Sequence, residues 1–234
     1  MSDGSVTWGV AGKQPLPAGP GIAAAAALVC SAGIVGWLVS LPLGYAAGTA
    51  AGAAWAALAI VWATGQGRRA LAALGARPAD PDEHARLINI VRGLGERYGG
   101  ATPKAMVIPG GEANALVGRS GGAPVVAVTS SLLDTLPRTE LEAVVAHCLA
   151  RSDPSLTTRA SVACSLGPLL FGLAPKVGYD DDVRAAALTR YPPALASALR
   201  KTVPRAGRFA PLWMAAQAPT HRPLVERIAA LEDL

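Results

Sequence analysis

Charge is what this sequence most lacks. Asp, Glu, Lys and Arg make up 16% of its 234 residues, against about a quarter in an ordinary soluble domain. From Gln14 to Gly67 there is no charged side chain at all. Aromatic residues are scarce too, at 5%. The net charge of +5 gathers into no run of lysine and arginine. Base-stacking surfaces and phosphate footprints are therefore missing, which excludes nucleic acid as a partner. The positive balance instead suits a cytoplasmic membrane face. Cysteine is nearly absent: Cys30, Cys148 and Cys164 form no CxxC pair, and three thiols cannot all be bridged. Each lies in an apolar run and reads as a reduced, small hydrophobe, so no disulfide framework is implied.

What the chain has in abundance is apolar residues, 51% of the total. A bilayer core of ~30 Å takes about 20 helical residues, so the uncharged stretch accommodates two crossings and a turn. Residues 22–40 and 43–63 are the natural spans, broken around Leu41-Pro42. Residues 1–20 read as disordered, 21–64 as a transmembrane hairpin and 65–79 as a linker. The apolar run is longer than the core of a signal peptide. Lys13 precedes the spans, Arg68 and Arg69 follow them, and the turn between is uncharged. The positive-inside rule places both the N-terminus and residues 80–234 in the cytoplasm, for a multi-pass protein of the cell (inner) membrane. Gly44, Gly48 and Gly52 recur every four residues, giving a small-residue face for helix–helix association. Its partner is either the first span, around Gly33 and Gly36, or another chain.

Beyond residue 80, Asp80-Pro81-Asp82-Glu83 has the form of a helix start. Leu87, Ile90, Val91, Leu94 and Tyr98 follow at helical spacing, and Gly99-Gly100 closes the element. His84 falls in its first turn, in solvent. Short β-type segments at 104–108, 113–117 and 125–129, punctuated by Gly110-Gly111 and Gly121-Gly122, predict a small sheet. Residues 138–151 then predict an amphipathic helix. Leu141, Val144, Val145, Cys148 and Leu149 form its apolar stripe, while His147 and Arg151 share another face. Residues 160–175 are uncharged but too few for two crossings, and read as a buried or membrane-grazing helix pair. Further helices are expected at 193–201, 209–217 and 223–234.

Several stretches of this domain resemble one family. Asn114-Ala115, Gly118-Arg119-Ser120, Val126-Ala127-Val128-Thr129, Leu132-Leu133, Glu140-Leu141 and Val144-Val145-Ala146-His147 resemble the approach to HExxH in the HtpX-like membrane zinc metallopeptidases. Downstream, Asp182-Val183-Arg184-Ala185-Ala186 and Leu188-Thr189 resemble the segment after that family's third zinc ligand. Thr220-His221-Arg222-Pro223, followed by Arg227-Ile228, resembles its histidine–proline turn. The resemblance implies an α+β fold: a helix-rich zincin-like domain with a small sheet, preceded by a two-helix transmembrane hairpin.

It also implies a degenerate site. His147 matches the first zinc ligand and is a remnant of it. Cys148 stands at the general base and Arg151 at the second histidine. Gly178 stands at the ligand glutamate, taking Asp182 as the family's aspartate. No catalytic residue is intact, and Asp180, Asp181, Asp182 and His221 are the other candidates for the cleft. A catalytic zinc site needs three protein ligands, and zinc sites draw ~10–16 kcal/mol from a full set. A cation ~4 Å from Zn2+ costs about 8 kcal/mol at an effective dielectric of 20. A His147–Cys148 dyad is disfavoured because helical neighbours face different directions. Arg151 is expected to pair with one of the three aspartates, so that a salt bridge replaces the metal.

No cofactor is therefore expected, and the resemblance implies a pseudoprotease. It would bind membrane-protein segments, partner proteins or an active homologue, by strand addition to the sheet edge. One alternative is an active zinc metalloendopeptidase of membrane-protein quality control, with an atypical metal site using Asp180 or Asp181. Another is a structural subunit of a membrane complex.

Overall fold

The uncharged stretch folds as two helices, α1 (Gly19–Leu43) and α2 (Tyr45–Ala73). They turn at Gly44, whose φ of +82° an L side chain would resist. The computed structural model describes residues 19–99, 101–167, 171–172 and 174–234. The N-terminal stretch expected to be disordered lies outside these residues, except for Gly19 and Pro20, which begin α1. Both helices are long and apolar enough to cross a membrane, with mean hydropathy 2.0 over Ala26–Leu43 and 1.5 over Tyr45–Ala73. Val29, Ile34, Trp37, Leu58 and Val61 point outward, as side chains facing lipid would.

Between the helices only small residues fit. A Cβ at Gly48 would collide with the carbonyl oxygen of Gly36 and lie 2.7 Å from the Cβ of Ser40. One at Gly52 would lie 2.9 Å from the Ala32 carbonyl oxygen. The glycine face of α2 thus packs on α1 of its own chain. Of the two expected partners of this face, Gly48 and Gly52 meet the first span, and Gly44 belongs to the turn.

α2 continues to Ala73, through the first part of the stretch expected as a linker. The chain divides into two compact units within this helix, between Gln66 and Gly67. The unit from Gly67 onward carries a mixed sheet in the order β1-β2-β4-β3. Its strands are β1 (Arg77–Pro78), β2 (Lys104–Ile108), β3 (Ala115–Ser120) and β4 (Ala123–Thr129). β2 runs parallel to β4 and antiparallel to β1. β3 and β4 form a hairpin with Gly121 and Gly122 both at positive φ, the conformation that a two-residue hairpin turn favours.

α3 (Ala85–Tyr98) buries Leu87, Ile90, Val91 and Leu94 as its spacing predicts. It begins later than expected, because Oδ1 of Asp80 accepts from the amides of Asp82 and Glu83 and closes a separate turn. His84 is less solvated than expected: its Nδ1 accepts from the Asp80 amide at 3.2 Å. α4 (Ser130–Thr135), capped by the Thr129 hydroxyl, leads into α5 (Arg138–Ala150). α5 is not amphipathic. Every residue from Ala143 to Ala150 is buried, because α3, α7 (Tyr179–Thr189), α8 (Pro192–Arg200) and the sheet surround it. α6 (Pro154–Leu166) starts on an Asp153 cap. Much of the second helix expected in the 160–175 pair falls outside the described residues.

One expected helix is replaced by extended chain. Within 209–217 only Ala210–Leu212 forms a short 3-10 turn, after which Met214 donates its amide to the Ala115 carbonyl at 2.7 Å. Leu212, Trp213, Met214 and Ala215 are all buried, so the segment is a strand-like insert in the core. Its apolar residues misled the helical reading, since a run this short carries no decisive period. α9 (Leu224–Glu232) closes the chain.

Candidate functional site

The end of α5 brings His147 against α7. Its Nδ1 lies 3.1 Å from Oδ1 of Asp182, with both side chains buried. That is ion-pair distance, but the approach is off-line for a hydrogen bond, and Nε2 has no polar partner. Asp182 is held more firmly from α9. Arg227 donates Nε to Oδ2 and Nη2 to Oδ1, each at 2.7 Å, and Nη1 to the Met214 carbonyl at 2.8 Å. Such a bidentate fork is the strongest geometry available to an arginine–carboxylate pair.

Arg151 does not join this network through a carboxylate. Its Nη1 donates to the Trp213 carbonyl and its Nη2 to the Pro211 carbonyl, each at 3.0 Å. The expected Arg151–aspartate bridge is thus corrected: the buried salt bridge of the site joins Asp182 to Arg227. His221 shares the Trp213 carbonyl, with Nε2 at 2.9 Å. A carbonyl only accepts, so Nε2 carries the proton, and Nδ1 takes the Thr220 hydroxyl at 3.1 Å.

Burial fixes the protonation states. It pulls the His147 pKa down, against the raising effect of Asp182. It pushes His221 down to about 3, helped by the Arg151 charge. Burial alone would raise the Asp182 carboxyl, but Arg227 and His147 outweigh it and hold the group at about 2. The Cys148 thiol is pushed up to about 12 inside the core, so it supplies no thiolate and no dyad with His147.

These states predict a pH dependence. The unfolded chain takes a proton on each histidine near pH 6.5, whereas the folded chain takes neither until lower pH. Stability is therefore full above about pH 6.5 and falls as pH drops below it, for His221 down to its folded value of about 3, by up to about 1.4 kcal/mol per pH unit for a histidine that stays neutral. The Asp182 contribution persists to about pH 4 and is lost as pH falls toward its folded value of about 2. Thermal midpoints of the detergent-solubilised chain between pH 7.5 and 4.5 should fall steadily, and His221→Gln should make the slope shallower. Equal midpoints across that range would contradict the neutral histidines.

The pair His147 and Asp182 can be tested against the metal centre that the family resemblance implies. A ligating histidine commonly has its second nitrogen oriented by a carboxylate, and His147 stands so toward Asp182, leaving Nε2 bare. The rest does not fit zinc. Among the described residues, no three His, Cys, Asp or Glu side chains come together as a metal set. The buried guanidinium groups of Arg151 and Arg227 flank the histidine instead. The His221 Nε2–H is committed to Trp213.

Of the other sequence candidates, Asp180 is exposed and Asp181 buried in the first turn of α7. Asp181 is the first of the charges that offset the burial of Arg151. Gly178 precedes α7, and a Cβ there would meet the Arg222 side chain at 3.2 Å. Val177 and His221 pair as a β-bridge, so Gly178 and His221 are brought to one place. Sequence reasoning missed Asn114 as a site residue. Its Nδ2 donates to the carbonyls of Ala215 at 2.7 Å and Val203 at 2.8 Å. It also missed Arg227 as the partner of Asp182. The one available signal was an arginine on the inward face of the last helix.

With this geometry in place, the chain can be compared with known proteins. A protein of Dictyoglomus thermophilum described as "Protease HtpX homolog" is 32% identical over 217 residues, covering 67% of this chain and 72% of that protein. One of Trichormus variabilis with the same description is 36% identical over 111 residues, covering 47% of this chain and 38% of that protein. One of Thermococcus sibiricus is 46% identical over 76 residues, covering 32% and 26%. Most of these curated relatives are thus spanned over less than two thirds of their length. No family model matches the chain, and no solved structure gives a significant match.

Proposed function

The chain belongs to the HtpX protease-homologue family, and from that premise we propose that it has lost zinc and proteolytic activity and acts by binding membrane-protein segments or partner proteins. One observation carries this reading. The Arg151 guanidinium is spent on the Pro211 and Trp213 carbonyls, at the position where the family resemblance implies a second histidine ligand. Cys148 supports it, because a buried thiol held near 12 activates no water. Gly178, with no side chain, supplies no third ligand.

The anchor in this reading is the α1–α2 hairpin in a bilayer. Lys13, Arg68 and Arg69 favour a cytoplasmic N-terminus and a cytoplasmic C-terminal unit. The reading as a structural subunit built on the glycine face loses its support, since Gly48 and Gly52 already pack on α1. The test is the zinc content of the purified full chain, with chelator-sensitive cleavage of an unfolded protein as its companion.

A further inference from the structure

Beside His147, between the end of α5 and the sheet edge β3, the chain lays a segment of its own. From the sheet side, Met214 donates its amide to the Ala115 carbonyl at 2.7 Å, and Trp213 pairs antiparallel with Leu116. Asn114 grips the next residue. Its Nδ2 donates to the Ala215 carbonyl at 2.7 Å, and its Oδ1 accepts the Ala215 amide at 3.4 Å. From the helix side, Arg151 takes the Pro211 and Trp213 carbonyls, His221 the Trp213 carbonyl and Arg227 the Met214 carbonyl. We infer that residues 211–215, a 3-10 turn running into the Trp213 bridge, are the resident occupant of this edge, so that the protein takes no extended peptide by strand addition and Arg151 serves as the clasp.

Three features make the occupancy firm. Trp213 is 2% exposed and Met214 0%, so a guest strand would have to expel core side chains. Farther along β3, α2 closes the edge: a Cβ on Gly67 would lie 2.6 Å from the Arg119 carbonyl oxygen. The opposite edge of the sheet is β1, only Arg77 and Pro78, and proline has no amide to offer a new ladder. Among the described residues, both edges of the sheet are thus occupied or lack an amide, which speaks against the strand-addition mode expected from the family resemblance. The inference does not depend on the loss of zinc, because a metal-free cleft with an open edge would still accept peptides.

Amide hydrogen exchange on the full chain in detergent, read by mass spectrometry, tests it. In the wild type, 211–216 should exchange as slowly as β4. Arg151→Met and Asn114→Ala should each speed exchange at 211–216 by about tenfold or more, leaving β4 unchanged. Excess reduced, carboxymethylated α-lactalbumin, an unfolded probe, should alter protection at neither 113–120 nor 211–216 of the wild type. Fast exchange at 211–216 in the wild type would overturn the inference. So would loss of protection there on adding the probe while 113–120 stays protected. These wild-type outcomes decide the matter even if a variant does not fold, and none of them depends on zinc content.

Discussion

Asp182→Ala is expected to cost about 3–5 kcal/mol of stability, the penalty for leaving one partner of a buried ion pair alone. The Arg227 side chain is fully enclosed and Asp182 nearly so. Their paired hydrogen bonds fasten α7 to α9, and the same carboxylate lies 3.1 Å from His147 Nδ1. Removing it strands a guanidinium whose remaining partner is the Met214 carbonyl. For a chain of this size the loss corresponds to about 6–20 °C in thermal midpoint. Arg227→Met should do similar harm by leaving the carboxylate unpaired. The double variant Asp182→Leu/Arg227→Met should recover much of the loss, since a buried ion pair replaced by apolar groups of like volume is often neutral. A single variant that melts like the wild type would show that the pair is not a structural joint.

The second large effect belongs to the hairpin. Gly48→Leu should separate α1 from α2, because its Cβ alone meets the Gly36 carbonyl oxygen, a backbone atom that moves only if the helix moves. Overpacking of this kind costs about 1–3 kcal/mol or more. The series Gly48→Ala then Gly48→Leu should lower the thermal midpoint in detergent stepwise. Gly33→Leu provides the contrast, as nothing lies within 4 Å of a Cβ there. If Gly33→Leu and Gly48→Leu behave alike, the close approach of the two helices is not what holds the hairpin.

Much of this architecture is legible in the residues, and the exceptions have physical reasons. The long uncharged run needed only composition and the Gly121-Gly122 hairpin only turn chemistry, whereas the break expected at Leu41-Pro42 falls at Gly44, with Pro42 kept inside α1. α5 was misread as amphipathic because small alanines pack inward on every side and carry no periodic signal of their own. The 209–217 segment was misread as a helix because its apolar residues satisfy strand and helix templates equally. At the site, the resemblance implied that His147 and Asp182 belong to one centre, and the structure places them 3.1 Å apart. The partner of Arg151 was not legible. An acidic triplet close in sequence suggests a salt bridge, whereas the guanidinium is satisfied by carbonyls some 60 residues away. Backbone acceptors leave no trace in a sequence, and neither does the Asn114 clamp that meets the same segment from the sheet.

The measurement that tests the central claim most directly is the zinc content of the full chain, purified in detergent without chelators. The proposed replacement of ligands by Arg151 and Gly178 predicts zinc far below one per chain, and no cleavage of reduced, carboxymethylated α-lactalbumin that a zinc chelator suppresses. Zinc near one per chain, together with chelator-sensitive cleavage, would contradict it.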